Sequence, residues 1–459
     1  MNRKETKISK DIKINKKSAK RNYSNQAGIT LIVLVVTIVV LIILAAITIS
    51  AVFDDGGIMD KAKEAESKMN EGIQRDKDEV NTLANMLDNY TKEPKPKITD
   101  PSLKSDDRTT DSKTIISKDE KGNQVVLPGG FKIADDSGDT VQEGIVIEDK
   151  DGNQFVWIPV SNINNDGSNK IIKDDGTEVE ITLGRYTFAT TTPGTPTLVQ
   201  KGSEYAAVTA ANVAEKTVNT KYGIKGDGDY YYYELSDKNR ISNEKSGTTG
   251  TNTTAKDLET FITKTKANKG FYIARYEASY GSGYNSSGTT TAENYGNAKP
   301  LSKVSTAYSD ESMNYDAGTL WNFISEPQAA LVSQNMYKND SYVESDLVNS
   351  YAWDTAIVYI QEMGNTNYAN ANRDTTGNKS LKNTGETGDK VCNIFDIAAN
   401  LREWTTEYST YVYDSYNSSH CTIRGGNCSV SDYYTGNRLY DHTTSGYYSA
   451  SFRPLLYVK

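Results

Sequence analysis

Gln154-Phe155-Val156-Trp157-Ile158-Pro159-Val160 anchors the reading of this 459-residue chain. Aromatic and β-branched residues recur there with a period of two, and the Asp149-Lys150-Asp151-Gly152-Asn153 run before them is rich in turn formers. Two strands joined by a tight turn are expected, with Gly144-Ile145-Val146-Ile147-Glu148-Asp149 as the first. Upstream, Val125-Val126-Leu127-Pro128-Gly129-Gly130-Phe131 reads as another strand, and downstream Gly270-Phe271-Tyr272-Ile273-Ala274-Arg275-Tyr276-Glu277 as a further one. Residues 161–260 are rich in Gly, Thr, Asn and Lys, with a Tyr run at 230–233, which predicts strands broken by long loops. Helical patterns lie around 321–338 and 345–363, the first opening on Glu326-Pro327-Gln328-Ala329 with proline in its first turn. These elements predict an α+β domain over residues 126–459.

N-terminal to that domain the texture changes three times. Residues 93–125 are polar and charged and read as a flexible linker. Residues 54–92 read as an amphipathic helical stalk, because Ile58, Ala62, Ala65, Met69, Ile73, Val80, Leu83 and Leu87 recur every three or four positions, until Pro94, Pro96 and Pro101 end it. Residues 29–53 hold no charged side chain, which predicts a transmembrane helix of about 37 Å against a bilayer core of about 30 Å. The leader, residues 1–28, carries nine Lys or Arg against Glu5 and Asp11, so it is +7 and the remainder of the −9 chain is −16. Positive charge ahead of an apolar span predicts a single-pass cell-membrane protein with its C-terminal domain extracellular. So acidic a remainder repels phosphate backbones and excludes nucleic-acid binding. A cleaved signal peptide and an unprocessed signal anchor are the competing readings of the span.

Gly28-Ile29-Thr30-Leu31-Ile32 resembles the cleavage and methylation motif of type IV prepilins and pseudopilins. The resemblance implies a cut after Gly28 by a prepilin peptidase, a methylated Ile29, and other pilin-like subunits as partners. Major pilins carry Glu at the fifth position after the cut, where this chain has Val33, which points to a minor subunit or a borrowed anchor.

Several stretches of the C-terminal domain resemble formylglycine-generating-enzyme-like, or sulfatase-modifying-factor, domains, in the family's order. They are Phe155–Val160, residues 270–279, 352–360 and 393–405, Arg424-Gly425-Gly426, Gly436-Asn437-Arg438 and Phe452-Arg453-Pro454-Leu455-Leu456. The resemblance implies a variant C-type-lectin fold. It also implies calcium held near Asn400 and Glu403 by oxygen ligands, the chemistry that Ca²⁺ prefers. The family's oxidases bind copper at a pair of cysteines near the closing strand, and here Ser451–Tyr457 contains none, so no catalytic residues and no enzymatic activity are expected. The chain's three cysteines are Cys392, Cys421 and Cys428. The spacing of Cys421 and Cys428 fits a disulfide across a small loop, leaving Cys392 as a buried thiol.

Residues 408–448 interleave Tyr with Ser, Asn, Asp, Thr, His and Gly, and hold few Leu, Ile or Val. That is the composition of binding loops, where Tyr supplies rigid contact area and the small polar residues supply hydrogen bonds. Tyr411, Tyr413, Tyr416, Tyr433, Tyr434, Asn437, Tyr440, His442 and Tyr447 are the candidate ligand contacts. The composition is similar to that of the variable proteins of diversity-generating retroelements. The expected function is a membrane- or pilus-anchored adhesion protein whose head binds an unidentified protein or glycan. A structural minor pilin and a formylglycine-generating oxidase are the alternatives.

Overall fold

The computed structural model describes residues 35–44, 68–69 and 113–459, apart from 162–169, 208–222, 227–229, 237–241, 244–250, 253–255, 308–314, 372–380, 412–419, 429–433 and 443–445. The chain divides into two compact units, 1–97 and 98–459.

In the first unit the described helix covers residues 35–44, about 15 Å at 1.5 Å per residue, roughly half a bilayer core. Among the described residues no helix is long and apolar enough to cross a membrane. This corrects the expected transmembrane helix over 29–53, and with it the α+β architecture led by a membrane helix and the single-pass extracellular placement. Uniform apolarity over 29–53 signals a longer continuous helix than the one the described residues form. The helical stalk over 54–92 is described only at Lys68 and Met69, and Gly28 and Ile29 lie outside the described residues.

The second unit is dominated by strands and built on two six-stranded sheets. The central sheet uses β1 (Phe131–Ile133), β2 (Val146–Asp149), β3 (Gln154–Pro159), β8 (Gly270–Ala274), β9 (Val343–Leu347) and β14 (Pro454–Val458). Their order is β9-β14-β8-β3-β2-β1, with every neighbouring pair antiparallel. The second sheet uses β6 (Ile224–Lys225), β7 (Tyr230–Tyr233), β10 (Arg402–Tyr411), β11 (His420–Arg424), β12 (Leu439–His442) and β13 (Ala450–Phe452). It runs β6-β7-β10-β11-β12, with β13 parallel to β10. A separate hairpin pairs β4 (Gly184–Phe188) with β5 (Pro196–Lys201). The helices of this unit are α1 (Leu258–Asn268), α2 (Thr291–Tyr295), α3 (Glu326–Met336) and α4 (Ser350–Glu362).

The alternation in β3 predicts a half-buried strand, yet Phe155, Val156, Trp157 and Ile158 are all fully buried. Both faces of the central sheet are covered. On one face the Phe261 ring of α1 meets Phe271 and Tyr457 edge-on at 5.4 and 5.7 Å. On the other, Tyr272 packs 4.9 Å from Trp157 and its hydroxyl donates to the Val126 carbonyl at 2.7 Å. Tyr351, Ile357 and Ile360 of α4 join the same core. The helix α1 was not anticipated. Its signals were Asp257, whose carboxylate accepts from the Thr260 N–H at 3.1 Å, and the buried row Leu258, Phe261, Ile262 and Thr265.

The turn ahead of β3 is held by Asp149, whose carboxylate accepts from the N–H groups of Asp151 and Asn153 at 2.9 and 2.8 Å and from the Asn153 side chain at 2.8 Å. Asp119 does the same for Lys121 and Asn123 at 3.0, 2.8 and 2.9 Å. Its hairpin pairs Ile115–Lys118 with Gln124–Leu127. This hairpin occupies part of the expected linker, so the folded unit begins earlier than residue 126. The charged turn made its flanking strands resemble a solvated tether.

Candidate recognition site

Residues 392–400 form an irregular connection into β10. Cys392, Asn393, Asp396 and Asn400 all have positive φ, between 46° and 66°. Asn and Asp enter that region more readily than other residues with a Cβ, which explains their spacing here. Gly425, at φ 90°, turns the chain just beyond β11, and a Cβ on Gly426 would lie 2.3 Å from the Ala398 carbonyl. The two segments therefore pack backbone to backbone.

Inside this connection the carboxyl groups are buried. Glu277 accepts from the Asn400 amide at 2.6 Å and the Leu401 N–H at 2.8 Å. Burial, then the nearby Asp396 and Glu403 carboxylates, raise its pKa well above the usual range. Burial also pushes Asp396 up to about 6. Glu403 accepts from Arg453 through both oxygens, at 2.6 to 3.1 Å. Asn400 Oδ1 accepts from the Lys382 N–H at 3.1 Å. The oxygens implied as calcium ligands thus already hold protein donors, and Asn400 and Glu403 do not fit a calcium ion without loss of those bonds. Among the described residues no group of three or more His, Cys, Asp and Glu is arranged to hold a metal.

A second buried network lies between α4, β4, β10 and β11. Arg424 donates to Asp354 at 2.7 Å, and Arg438 chelates Glu407 at 2.9 and 3.1 Å while reaching Asp354 with its other nitrogen. Arg185 pairs with Glu407 and donates to the Tyr232 carbonyl at 2.9 Å. Burial opposes ionisation of Glu407, but Arg438, Arg185 and Arg424 outweigh it and hold the carboxyl at about 2. The network fixes the backbone above it. Arg424 donates to the Asn437 carbonyl at 2.7 Å, Trp353 to the Thr435 carbonyl at 3.0 Å, and the Gly436 N–H to Ala369 at 2.8 Å.

That fixed backbone presents tyrosines. Tyr434, Tyr440 and Tyr447 are 37%, 45% and 36% exposed, and among the described residues from 113 onward they are three of five exposed large hydrophobic side chains, with Ile115 and Val304. Along β12 the exposure alternates, so Tyr440 and His442 stand out while Leu439 and Asp441 are half-buried. Tyr440 stacks on Tyr230 of β7, ring centres 3.6 Å apart. The Tyr447 hydroxyl donates to Asp441 at 2.7 Å, so Tyr440 and Tyr447 approach β12 from its two sides rather than sharing one flat patch. Asn437 is half-buried, its N–H donating to Tyr434. Tyr411 lies at the end of β10, opposite Tyr230, and Tyr413, Tyr416 and Tyr433 fall outside the described residues.

Cys421 and Cys428 remain thiols, which corrects the expected disulfide. The Gly425-Gly426 turn carries them into different cores. Cys421 packs with Trp404 and Phe452 and donates to Glu326 at 3.6 Å, whereas Cys428 packs with Leu320, Leu381 and Leu401. The sequence reading missed Tyr230, Arg185, Asp354 and Glu407. Asp354 and Arg438 stood within recognised motifs, but nothing local shows that they meet.

No family model and no curated protein matches the chain. Among solved structures it is similar to one titled "Crystal Structure of CarF", at 13% identity over 42% of this chain and 87% of that one, with a TM-score of 0.29, too distant to bear on fold or function.

Proposed function

We infer that residues 113–459 form a non-catalytic recognition domain, similar to the formylglycine-generating-enzyme-like domains, whose ligand meets Tyr434 and Tyr440 together with Tyr230. The observation that supports this most is the pairing of a rigid support with exposed aromatics. Residues 435–438 are tied down by buried donors, while the neighbouring tyrosines stay open to solvent. Interfaces favour such side chains, because they offer large contact area at low entropic cost. Copper-thiolate oxidation of a cysteine substrate, the chemistry of the resembled oxidases, has little support. The closing strand lacks cysteine, and Cys421 and Cys428 are 0% and 1% exposed.

Arrays of glycans and of peptides, probed with the whole protein, test the reading. Any probe that the parent binds should be bound at least about tenfold more weakly by Tyr434→Ala and by Tyr440→Ala, the loss of about 1.4 kcal/mol or more of contact. Binding that both variants retain, or the absence of binding to every probe, would count against it. Incubation with copper and a cysteine peptide should give no formylglycine, and turnover would restore the oxidase reading.

A further inference from the structure

The chain contains 31 tyrosines, and one group of them shares no member with the proposed recognition face. Tyr284 and Tyr315 lie face to face, with ring centres 3.6 Å apart and planes at 7°. Carbon atoms in van der Waals contact sit about 3.5–4.0 Å apart, so two nearly parallel rings at this spacing overlap almost fully. Their neighbours fix both partners. The Tyr284 N–H donates to the Tyr280 hydroxyl at 3.3 Å, and the Tyr295 and Tyr315 hydroxyls share a hydrogen bond at 3.0 Å. The Tyr280 ring meets Tyr315 and the buried Trp321 edge-on, at 5.4 and 5.2 Å. Tyr284 and Tyr315 are themselves half-buried, so each keeps part of its surface open to solvent.

We propose that Tyr284 and Tyr315 form an oxidative modification site, at which a haem peroxidase with hydrogen peroxide joins them as dityrosine. Each phenol gives up one electron and its proton, and the two radicals couple at the ring carbons beside the hydroxyls. One carbon–carbon bond forms, two carbon–hydrogen bonds break as the rings regain aromaticity, and both hydroxyls are restored. The two electrons and two protons reduce one hydrogen peroxide to two waters. Burial, then the neighbouring Tyr284 and Tyr295 hydroxyls, raise the pKa of Tyr315, so its proton leaves with the electron rather than before it. Rings already held in contact react in an intramolecular step, which raises their effective concentration by orders of magnitude. The new bond ties residue 284 to residue 315 and restricts the unfolded chain, as a disulfide does. The site does not depend on the recognition reading.

Treatment of the whole protein with a haem peroxidase and hydrogen peroxide at neutral pH tests the site, at a dose that couples free tyrosine in a parallel reaction. Mass spectrometry of proteolytic digests locates the dityrosine, and melting curves read its effect. The monomeric product should carry a crosslink between residues 284 and 315 and melt at a higher temperature than untreated protein. Protein unfolded in urea before treatment should carry that crosslink at least tenfold less often, because the stack is gone. Tyr284→Phe and Tyr315→Phe keep the ring without the phenol, and each should lose the crosslink and most of the rise in melting temperature. Should a phenylalanine variant fold poorly, the comparison of folded with unfolded parent decides instead. Coupling confined to other tyrosines, the stacked Tyr230 and Tyr440 included, would overturn the proposal. So would the absence of coupling, or equal yield from the unfolded chain.

Discussion

Asp354 and Glu407 each serve more than one arginine, so removing either carboxylate strands buried positive charge. Losing one partner of a buried ion pair costs about 3–5 kcal/mol. Glu407→Ala is accordingly expected to lower unfolding free energy by at least about 3 kcal/mol in denaturant titrations. The pH dependence has two parts of opposite sign. Glu407 is held at about 2, below the roughly 4.3 of an unfolded glutamate, so its contribution is full above about pH 5 and fades as pH falls toward 2. Asp346 is raised to about 7 by burial, against about 3.9 unfolded, so its contribution is full below about pH 4 and is lost as pH rises through 7. Asp346→Asn should therefore flatten stability between pH 4 and 7, and an unchanged slope would remove Asp346 as its source. At this scale the sequence was legible where geometry is local. The resembled motif names Asn400 with Glu403, and the positive φ that Asn400 shares with Asn393 and Asp396 is a conformation that Asn and Asp adopt readily. The pairing of Arg185 with Glu407 spans 222 residues, and no local pattern encodes it.

Strands and turns divide into those that carry the core and those that carry the face. Trp157 is fully buried in β3, between β2 and β8, and Trp157→Ala should cost about 3–5 kcal/mol through the cavity it leaves. Tyr434→Ala should change stability by no more than about 0.5 kcal/mol, as an exposed position does. Thermal melts of the two variants side by side check both expectations. The positions of β2, β3, β8, α3 and α4 were readable from turn residues, apolar runs and the early proline. The burial of both faces of β3 was not, because its covers, α1 and the 115–127 segment, come from distant or misread stretches. Composition drew attention to the tyrosines of 434–447, but the stacking of Tyr440 on Tyr230 arises from how the second sheet brings β7 near β12, which no spacing records. The expected membrane helix was the opposite case, where a strong composition signal exceeded the helix that the described residues form.

For the molecule as a whole, the contact pattern predicts that residues 98–459 fold alone. That fragment should melt in one cooperative transition within a few degrees of the whole protein, and a much lower or broad transition would show that residues 1–97 contribute. The order of the central sheet carries a further consequence. The strand β14, residues 454–458, lies between β8 and β9, and is the latest in the chain of the six. During synthesis the ribosome releases β8 nearly two hundred residues before its neighbour exists. Until then β8, which reads Gly-Phe-Tyr-Ile-Ala, keeps an open, apolar edge of the kind that recruits other chains. A product terminated at residue 449 should partition into inclusion bodies, while the same product supplied with a synthetic peptide of residues 450–459 should be partly rescued. Synthesis of β14 thus closes the central sheet, and fragments that stop short of it leave the β8 edge open.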